Sequence, residues 1–216
     1  MAVSDLDVTR HGEDPGAGAP ADPLFFFDLA SPEAYLVAER ILQVMPVATA
    51  WVPVLARELP APQDWSTLTG DEQATYAQRV DERGLQPLRW PAQFPADTAL
   101  AIHAATFARS IGRVVPFALA AFRQAFAGGH DLGDENTILI AGSACEMHPK
   151  AVLTGCGTRA TREALMQATA LAAACGARDV PAVWVPGAEP GAPGRIFHGD
   201  QDLDRAAAAA LELVPS

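Results

Sequence analysis

The sequence lacks the cysteine patterns that support redox or zinc chemistry. Its cysteines, Cys145, Cys156 and Cys175, are odd in number and widely spaced. This pattern is typical of proteins with reduced thiols rather than of a disulfide framework. Cys145, His148 and Cys156 match no standard zinc spacing, and their alanine-rich surroundings favour small buried thiols. We therefore predict neither a disulfide nor a metal site.

Positive charge is also scarce, as 15 Lys and Arg residues face 26 Asp and Glu residues and give a net charge of -11. Nucleic acids bind clustered Lys and Arg, so we expect no nucleic-acid partner. A bilayer requires about 18 to 20 uninterrupted apolar residues, which the sequence lacks, so we expect no membrane partner. Residues 1–22 predict a mobile leader without the order of a secretory signal, and we expect a cytoplasmic protein.

What the sequence does contain is a series of apolar elements at its start. Residues 24–29 predict a strand buried on both faces, since all but Asp28 are apolar. Ser31 and Pro32 then begin a predicted helix that ends near Pro46, and residues 47–55 predict a second strand. These elements form a βαβ unit whose strands should be parallel, with a right-handed crossover.

The middle of the chain is predicted to be helical, whereas its last part is predicted to contain two strands and a helix. Helical periodicity is found at 71–83, 97–111, 116–127, 135–144 and 161–175. Asp134 is the predicted N-cap of the fourth of these helices. The chain ends with predicted strands at 182–185 and 195–197 around a Gly- and Pro-rich turn, followed by a helix at 202–213.

This element order, βαβ, helices, then αββα, is that of a thioredoxin fold interrupted by an all-helical domain. The predicted fold class is therefore α/β. We place the discontinuous thioredoxin-like domain at 23–60 and 158–216 and the helical insertion at 61–157.

Four segments, in this order, carry a family resemblance. They are "FFFDLASPEAYLVAERI", "RWPAQFPADTALAIHAATFA", "DVPAVWV" and "IFHGDQDLD". The chain resembles the DsbA-like thioredoxin family, and within it the branch of 2-hydroxychromene-2-carboxylate isomerases and kappa-class glutathione transferases. The resemblance covers about residues 24–211, with Asp97 in place of the branch's usual Asn. It implies a homodimer with a small aromatic substrate.

Ser31 is the candidate catalytic residue. Ser31 and Ala34 stand where redox-active relatives have the cysteines of CxxC, so the protein has no dithiol to cycle. The resemblance implies that the Ser31 hydroxyl, facing an open cleft, donates a hydrogen bond to the thiolate of bound glutathione. Amides and the dipole at a helix start favour such an anion. Ser31 also suits an ordinary helix N-cap, and both roles are compatible.

Cofactor binding is implied at two further places. Val180-Pro181 resembles the family's cis-proline, which positions the cysteinyl part of glutathione; a trans bond at a strand edge is the alternative. Asp200 and Gln201 align with residues that hold the γ-glutamyl group, and the alternative for Asp200 or Asp202 is N-capping.

The cofactor implied is glutathione or another low-molecular-weight thiol. The sequence departs from the family pattern, because Gln201 and Asp202 replace Asp and Arg, and "ARELPAPQDW" lacks the Asn and the Pro-Ala-Lys of resembling enzymes. An acidic site without these basic contacts should bind the tripeptide weakly. A different thiol, or none, remains an alternative.

The substrate pocket is expected between the insertion and Ser31, bordered by Tyr35, Trp90 and His103. Phe94 is interpreted as a core anchor and His198 as a possible border of the thiol site. The function implied is a thiol-dependent isomerase. The alternatives are a kappa-type glutathione transferase and a non-catalytic member that binds a ligand or a partner protein.

Overall fold

A four-stranded sheet organises the chain. The computed structural model describes residues 20–189 and 191–214, so most of the predicted leader, 1–22, lies outside the described residues. The strands are β1 Leu24–Phe27, β2 Ala50–Pro53, β3 Ala182–Val185 and β4 Arg195–His198, in the spatial order β2-β1-β3-β4. β1 and β2 are parallel, as predicted, whereas β3 is antiparallel to both β1 and β4.

Eight α-helices accompany the sheet in the described residues. They are α1 Pro32–Val44, α2 Gly70–Glu82, α3 Ala99–Ser110, α4 Val114–Phe122, α5 Glu135–Ser143, α6 Pro149–Cys156, α7 Arg159–Ala174 and α8 Leu203–Ala210. Short 3-10 turns lie at Ala56–Glu58, Trp65–Thr67 and Leu211–Leu213, and a π-helical turn, Arg123–Ala127, extends α4. The predicted α/β class, a thioredoxin fold with helices between its two halves, is confirmed.

The sheet is buried on both faces because successive side chains of a strand point to opposite sides. Phe25 and Phe27 of β1 pack with α1 and with the helices that follow β2. Leu24 and Phe26 face a second cluster, which contains Ala168 of α7. All four β1 residues are buried, as the continuous apolar run predicts.

The helix α6 was not predicted from the sequence. It is short, and Gly155 within it is a weak helix former. A usable signal was nevertheless present, since His148 caps the helix through Nδ1 and Pro149 stands at the first helical position. Asp134, in contrast, caps α5 as predicted by accepting from the Asn136 N–H.

Gly155 is needed for α6 to approach α3. A methyl group at Gly155 would fall well inside contact distance of the Phe107 ring. We expect Gly155→Ala to lower the free energy of unfolding by about 1 to 3 kcal/mol, the usual range for overpacking. The control is Gly70→Ala at the start of α2, where nothing lies near the added carbon. Denaturant unfolding measures both variants, and equal stability of the two would contradict this account.

Candidate functional site

The start of α1 places Ser31 at the end of the sheet. Ser31 has extended backbone angles, and its Oγ accepts from the Ala34 N–H at 3.1 Å. Its own N–H donates to the Asp28 carbonyl at 3.1 Å. Pro32 opens the helix and Glu33 lies in its first turn, where a negative charge is favoured. The predicted capping role of Ser31 is therefore confirmed.

The open cleft expected at Ser31 is not found. Ser31 is 0% exposed and Val180 only 3%. Leu59 and Trp65, from the segment after β2, lie in one apolar cluster with Ala30 and Val180. Local packing thus encloses the Ser31 hydroxyl, and a ligand reaches it only when neighbouring residues move.

The Val180–Pro181 peptide bond is cis, as the family resemblance implies, and not trans. Ala182, the next residue, pairs with Phe26 of β1, so Pro181 lies at the same end of the sheet as the start of α1. The Gly199 N–H donates to the Pro181 carbonyl at 2.9 Å and connects this corner to the loop before α8. A second cis bond, Phe94–Pro95, was not predicted.

The segment before Pro181 is tied to its neighbours. The Arg178 carbonyl accepts from the Ala61 N–H at 2.8 Å. The Arg178 N–H donates to His198 Nε2 at 3.1 Å, so this ring nitrogen acts as an acceptor and carries no proton. Burial lowers the pKa of His198, while the nearby Asp179 carboxylate acts in the opposite direction. His198 therefore has a structural partner next to Pro181.

Asp200 belongs to a buried charge cluster that the sequence did not reveal. Its side chain is 0% exposed and pairs with Arg40 of α1, at 3.4 Å, and with Arg83, just after α2. Its backbone N–H donates to Glu33 Oε1 at 3.1 Å, and Arg79 Nη1 lies 3.5 Å from the same oxygen. We call these five residues the Glu33–Asp200 cluster.

The N-capping alternative for Asp200 is wrong, because its carboxylate faces arginines rather than the amides of α8. Asp202 occupies the cap position of α8, but its side chain accepts from the Arg205 guanidinium rather than from a backbone amide of the helix. Gln201 is exposed. Burial raises the pKa of Glu33, the bond from the Asp200 N–H and the nearby Arg79 oppose this, and Asp200 and Asp179 raise the pKa further.

These contacts test whether glutathione fits. The Ser31 side chain suits the sulfur of glutathione. Its oxygen accepts from the Ala34 N–H, and among the described residues its hydroxyl proton has no acceptor, so this proton can be donated to sulfur. The γ-glutamyl end does not fit. The Asp200 N–H already has the Glu33 carboxylate, and the Asp200 carboxylate already has two guanidinium groups.

Of the residues predicted to border a substrate pocket, Tyr35 and Trp90 both contact the Phe126 ring, and His103 bonds within its own helix. Tyr35 is buried and stacks on Phe126 with ring centroids 5.6 Å apart, and burial raises its pKa to about 12. The Trp90 ring centroid lies 4.7 Å from that of Phe94 and 6.1 Å from that of Phe126. His103 Nδ1 bonds the Ala99 carbonyl of its own helix at 2.6 Å.

A cleft of about 250 Å³ lies near the start of α1. Its lining reaches Ala30, the residue before Ser31, and includes Asp28, Arg57, Trp65 and Thr98. Leu55, Pro95 and Ile102 add apolar surface. The cleft therefore combines apolar walls with the exposed Arg57 and with two acidic residues, Asp28 and the exposed Asp97.

Asp28 forms the polar floor of this cleft. Its Oδ1 accepts from the Ala30 N–H at 3.0 Å and its Oδ2 from the Ala56 N–H at 3.0 Å. The Thr98 hydroxyl lies 3.4 Å from Oδ1. Burial raises the pKa of Asp28, and these donors oppose the rise. The signal in the sequence was one acidic residue at the end of an apolar strand.

The three cysteines form no disulfide. Cys145 and Cys156 are buried and Cys175 is partly buried, and all are free thiols. Burial raises the pKa of Cys156 to about 11 and also raises those of Cys145 and Cys175. Among the described residues, no group of His, Cys, Asp and Glu side chains could hold a metal ion.

Because the thiolate is the reactive form, we expect slow modification of the native cysteines. With a disulfide reagent such as Ellman's reagent at pH 8, at most one thiol, that of Cys175, should react within minutes. All three should react after denaturation. The released chromophore measures both counts. Rapid reaction of two or more thiols in the native protein would contradict the observed burial.

The chain is similar to a known protein family and to several solved structures. A model of the DSBA-like thioredoxin domain matches residues 24–210. No curated protein matches the sequence. A 2-hydroxychromene-2-carboxylate isomerase structure is similar with a TM-score of 0.75 and 15% identity, covering 88% of this chain and 95% of that chain.

Two further solved structures share the fold. A probable DsbA oxidoreductase from Streptomyces coelicolor has a TM-score of 0.68 and 17% identity, covering 89% of each chain. The cytosolic disulfide reductase DsbM from Pseudomonas aeruginosa, solved with GSH, has a TM-score of 0.63 and 11% identity, covering 89% of this chain and 96% of its own. None of the helices in the described residues is long and apolar enough to span a bilayer.

Proposed function

Because the chain belongs to the DSBA-like thioredoxin domain family, we propose that it is a thiol-dependent isomerase of small conjugated aromatic molecules. It carries out no dithiol chemistry of its own, since Ser31 and Ala34 stand at the two positions of a CxxC motif. The observation that supports this most is the serine hydroxyl at the start of α1, at the same sheet end as the cis Val180–Pro181 bond.

Ser31 serves the thiol rather than acting as a nucleophile. A nucleophilic serine requires an adjacent base, and its hydroxyl has only the Ala34 N–H as a hydrogen-bond partner among the described residues. The hydroxyl proton is available to a sulfur atom, and the dipole of α1 favours a negative charge there. The same features that cap the helix therefore stabilise a thiolate at neutral pH.

The substrate binds in the cleft beside Ala30. Trp65, Leu55 and Ile102 provide apolar surface for an aromatic ring, and the Arg57 guanidinium suits a carboxylate. Trp65 Nε1 is buried without a hydrogen-bond partner in the described residues. Trp65 lines this cleft and lies in the same apolar cluster as Val180, and we propose that its movement opens the thiol site toward the cleft.

The test is turnover of 2-hydroxychromene-2-carboxylate, followed by its absorbance change, with and without an added low-molecular-weight thiol. The proposal predicts turnover that depends on the thiol while the total thiol concentration stays constant. Arg57→Ala should raise the KM with little effect on kcat, whereas Arg159→Ala, which removes an exposed arginine of α7, should change neither. Absence of turnover with every thiol would exclude the proposal.

The reaction products distinguish the proposed isomerase from a kappa-type glutathione transferase. A transferase would convert an electrophilic aromatic halide into a thioether, with release of halide ion and net loss of thiol. Dithiol oxidoreductase activity predicts reduction of insulin disulfides, which we expect to be undetectable.

A second candidate function is non-catalytic binding of a ligand or a partner protein. The full burial of Ser31 and the internal pairing of Asp200 favour it. Calorimetric titration with several low-molecular-weight thiols discriminates, because a non-catalytic member of this kind should bind none of them. We place the protein in the cytoplasm on either reading.

A further inference from the structure

Glu33 holds a position that a ligand carboxylate would otherwise take. Its Oε1 accepts from the Asp200 N–H at 3.1 Å and lies 3.5 Å from Arg79 Nη1. A backbone amide and a guanidinium converging on one carboxylate oxygen form a typical carboxylate-binding arrangement. Here the carboxylate belongs to the protein's own helix α1. The Asp200 N–H and the Arg79 guanidinium are therefore already occupied and are not available to a ligand's α-carboxylate.

A ligand's ammonium group is excluded in the same way. The Asp200 carboxylate is fully buried and pairs through Oδ1 with Arg40 and through Oδ2 with Arg83. Both oxygens of this acid therefore already face cations. An incoming ammonium would add a third positive charge beside two guanidinium groups, and like charges at such distances repel.

We infer that Glu33, supported by Arg40 and Arg83, excludes thiols with a free α-amino-acid head group, so that the thiol used by this protein lacks one. This inference rests on the function proposed above. It names a class of neutral or N-acylated small thiols, held through sulfur at Ser31 and not through an amino-acid head at Asp200.

The surroundings of Glu33 strengthen the exclusion. A Cβ on Gly199 would lie 3.1 Å from Glu33 Oε1, so the carboxylate is packed against the loop before α8 and leaves little space there. Asp200 and Asp179 are close enough to raise the pKa of Glu33. A second carboxylate brought into this place would meet three acidic groups of the protein and would have to displace one of them.

The experiment measures binding of S-methylglutathione by calorimetry, independently of turnover. S-methylglutathione keeps the γ-glutamyl group but has no reactive thiol. Glu33→Ala frees the Asp200 N–H and Arg79 for the ligand's carboxylate. We expect at least a fivefold tighter Kd for this variant than for the unchanged protein. Glu33→Ser, which vacates the same partners and suits a first helical turn, gives the same test if the alanine variant folds poorly.

The matched control is Glu39→Ala, which removes another glutamate of α1. Glu39 pairs with Arg123 at 2.7 Å, outside the Glu33–Asp200 cluster, so this variant should bind S-methylglutathione as the unchanged protein does. A gain of less than fivefold for both Glu33 variants, or an equal gain for Glu39→Ala, overturns the inference.

Turnover with different thiols separates this inference from the proposed function. If N-acetylcysteamine supports turnover of the chromene better than glutathione does, both stand. If glutathione is the better cofactor in the unchanged protein, the inference fails while the isomerase function stands. If no thiol supports turnover, the isomerase function fails, and the binding contrast between the Glu33 and Glu39 variants still decides what Glu33 excludes.

Discussion

Replacing Asp200 with alanine should lower the free energy of unfolding by about 3 to 5 kcal/mol, the range for removing one partner of a buried ion pair. The substitution leaves the guanidinium groups of Arg40 and Arg83 without the fully buried carboxylate that they share. Arg83 Nη1 already has no hydrogen-bond partner in the described part of the chain, so it offers no alternative contact. Chemical denaturation followed by tryptophan fluorescence measures the loss.

Asp204→Ala is the control for this prediction. Asp204 also pairs with Arg40, at 3.1 Å, but its side chain is 71% exposed. Exposed pairs contribute about 0 to 1 kcal/mol, so this variant should stay close to the unchanged protein. If Asp200→Ala costs no more than Asp204→Ala, the Glu33–Asp200 cluster does not stabilise the fold as its burial implies.

Replacing Ser31 with alanine should reduce the thiol-dependent turnover by about 100- to 1,000-fold, the typical cost of removing one preorganised donor to a developing negative charge. The variant loses the hydroxyl that the proposed function assigns to the thiolate sulfur. The pH at which turnover reaches half of its maximum should also rise, because the thiol then ionises less readily. A pH profile of kcat/KM measures both effects.

The loss of a helix cap accompanies this substitution and has to be separated from it. Ser31→Ala should cost about 1 kcal/mol of stability, as caps typically do. Thr69→Ala removes the cap of α2, where Thr69 and Glu72 form a capping box, and should cost a similar amount. Turnover unchanged in Thr69→Ala but lost in Ser31→Ala would assign the effect to sulfur. Equal turnover in both variants would contradict the proposed role of Ser31.

Local signals were sufficient for most of the fold. The apolar run at 24–29 predicted β1, and Ser31, Pro32 and Asp134 marked helix starts that the structure confirms. These features depend on residues close in the chain, where spacing and capping chemistry act directly. The strand β2 is shorter than its prediction, Ala50–Pro53 against 47–55, because strand ends depend on pairing with β1.

The candidate site was predicted less completely because it depends on distant residues. Asp200 and Arg40 are 160 positions apart in the chain, so no local sequence pattern predicts that they form a pair. The full burial of Ser31 was likewise not predicted, and the apolar cluster beside it joins Leu59 and Trp65 to Ala30 and Val180 from distant parts of the chain. The cis Val180–Pro181 bond was predicted only through the family resemblance, since X-Pro bonds are trans by default.

The position of β1 in the sheet has a consequence for synthesis of the chain on the ribosome. β1 pairs with β2 on one side, but its other side pairs with β3, whose residues 182–185 are synthesised long after those of β1. Until then, a strand with three consecutive phenylalanines has an unpaired backbone edge, which is a template for aggregation. Nascent chains that stall before residue 182 should therefore depend on chaperones, and truncated forms ending there should accumulate in inclusion bodies.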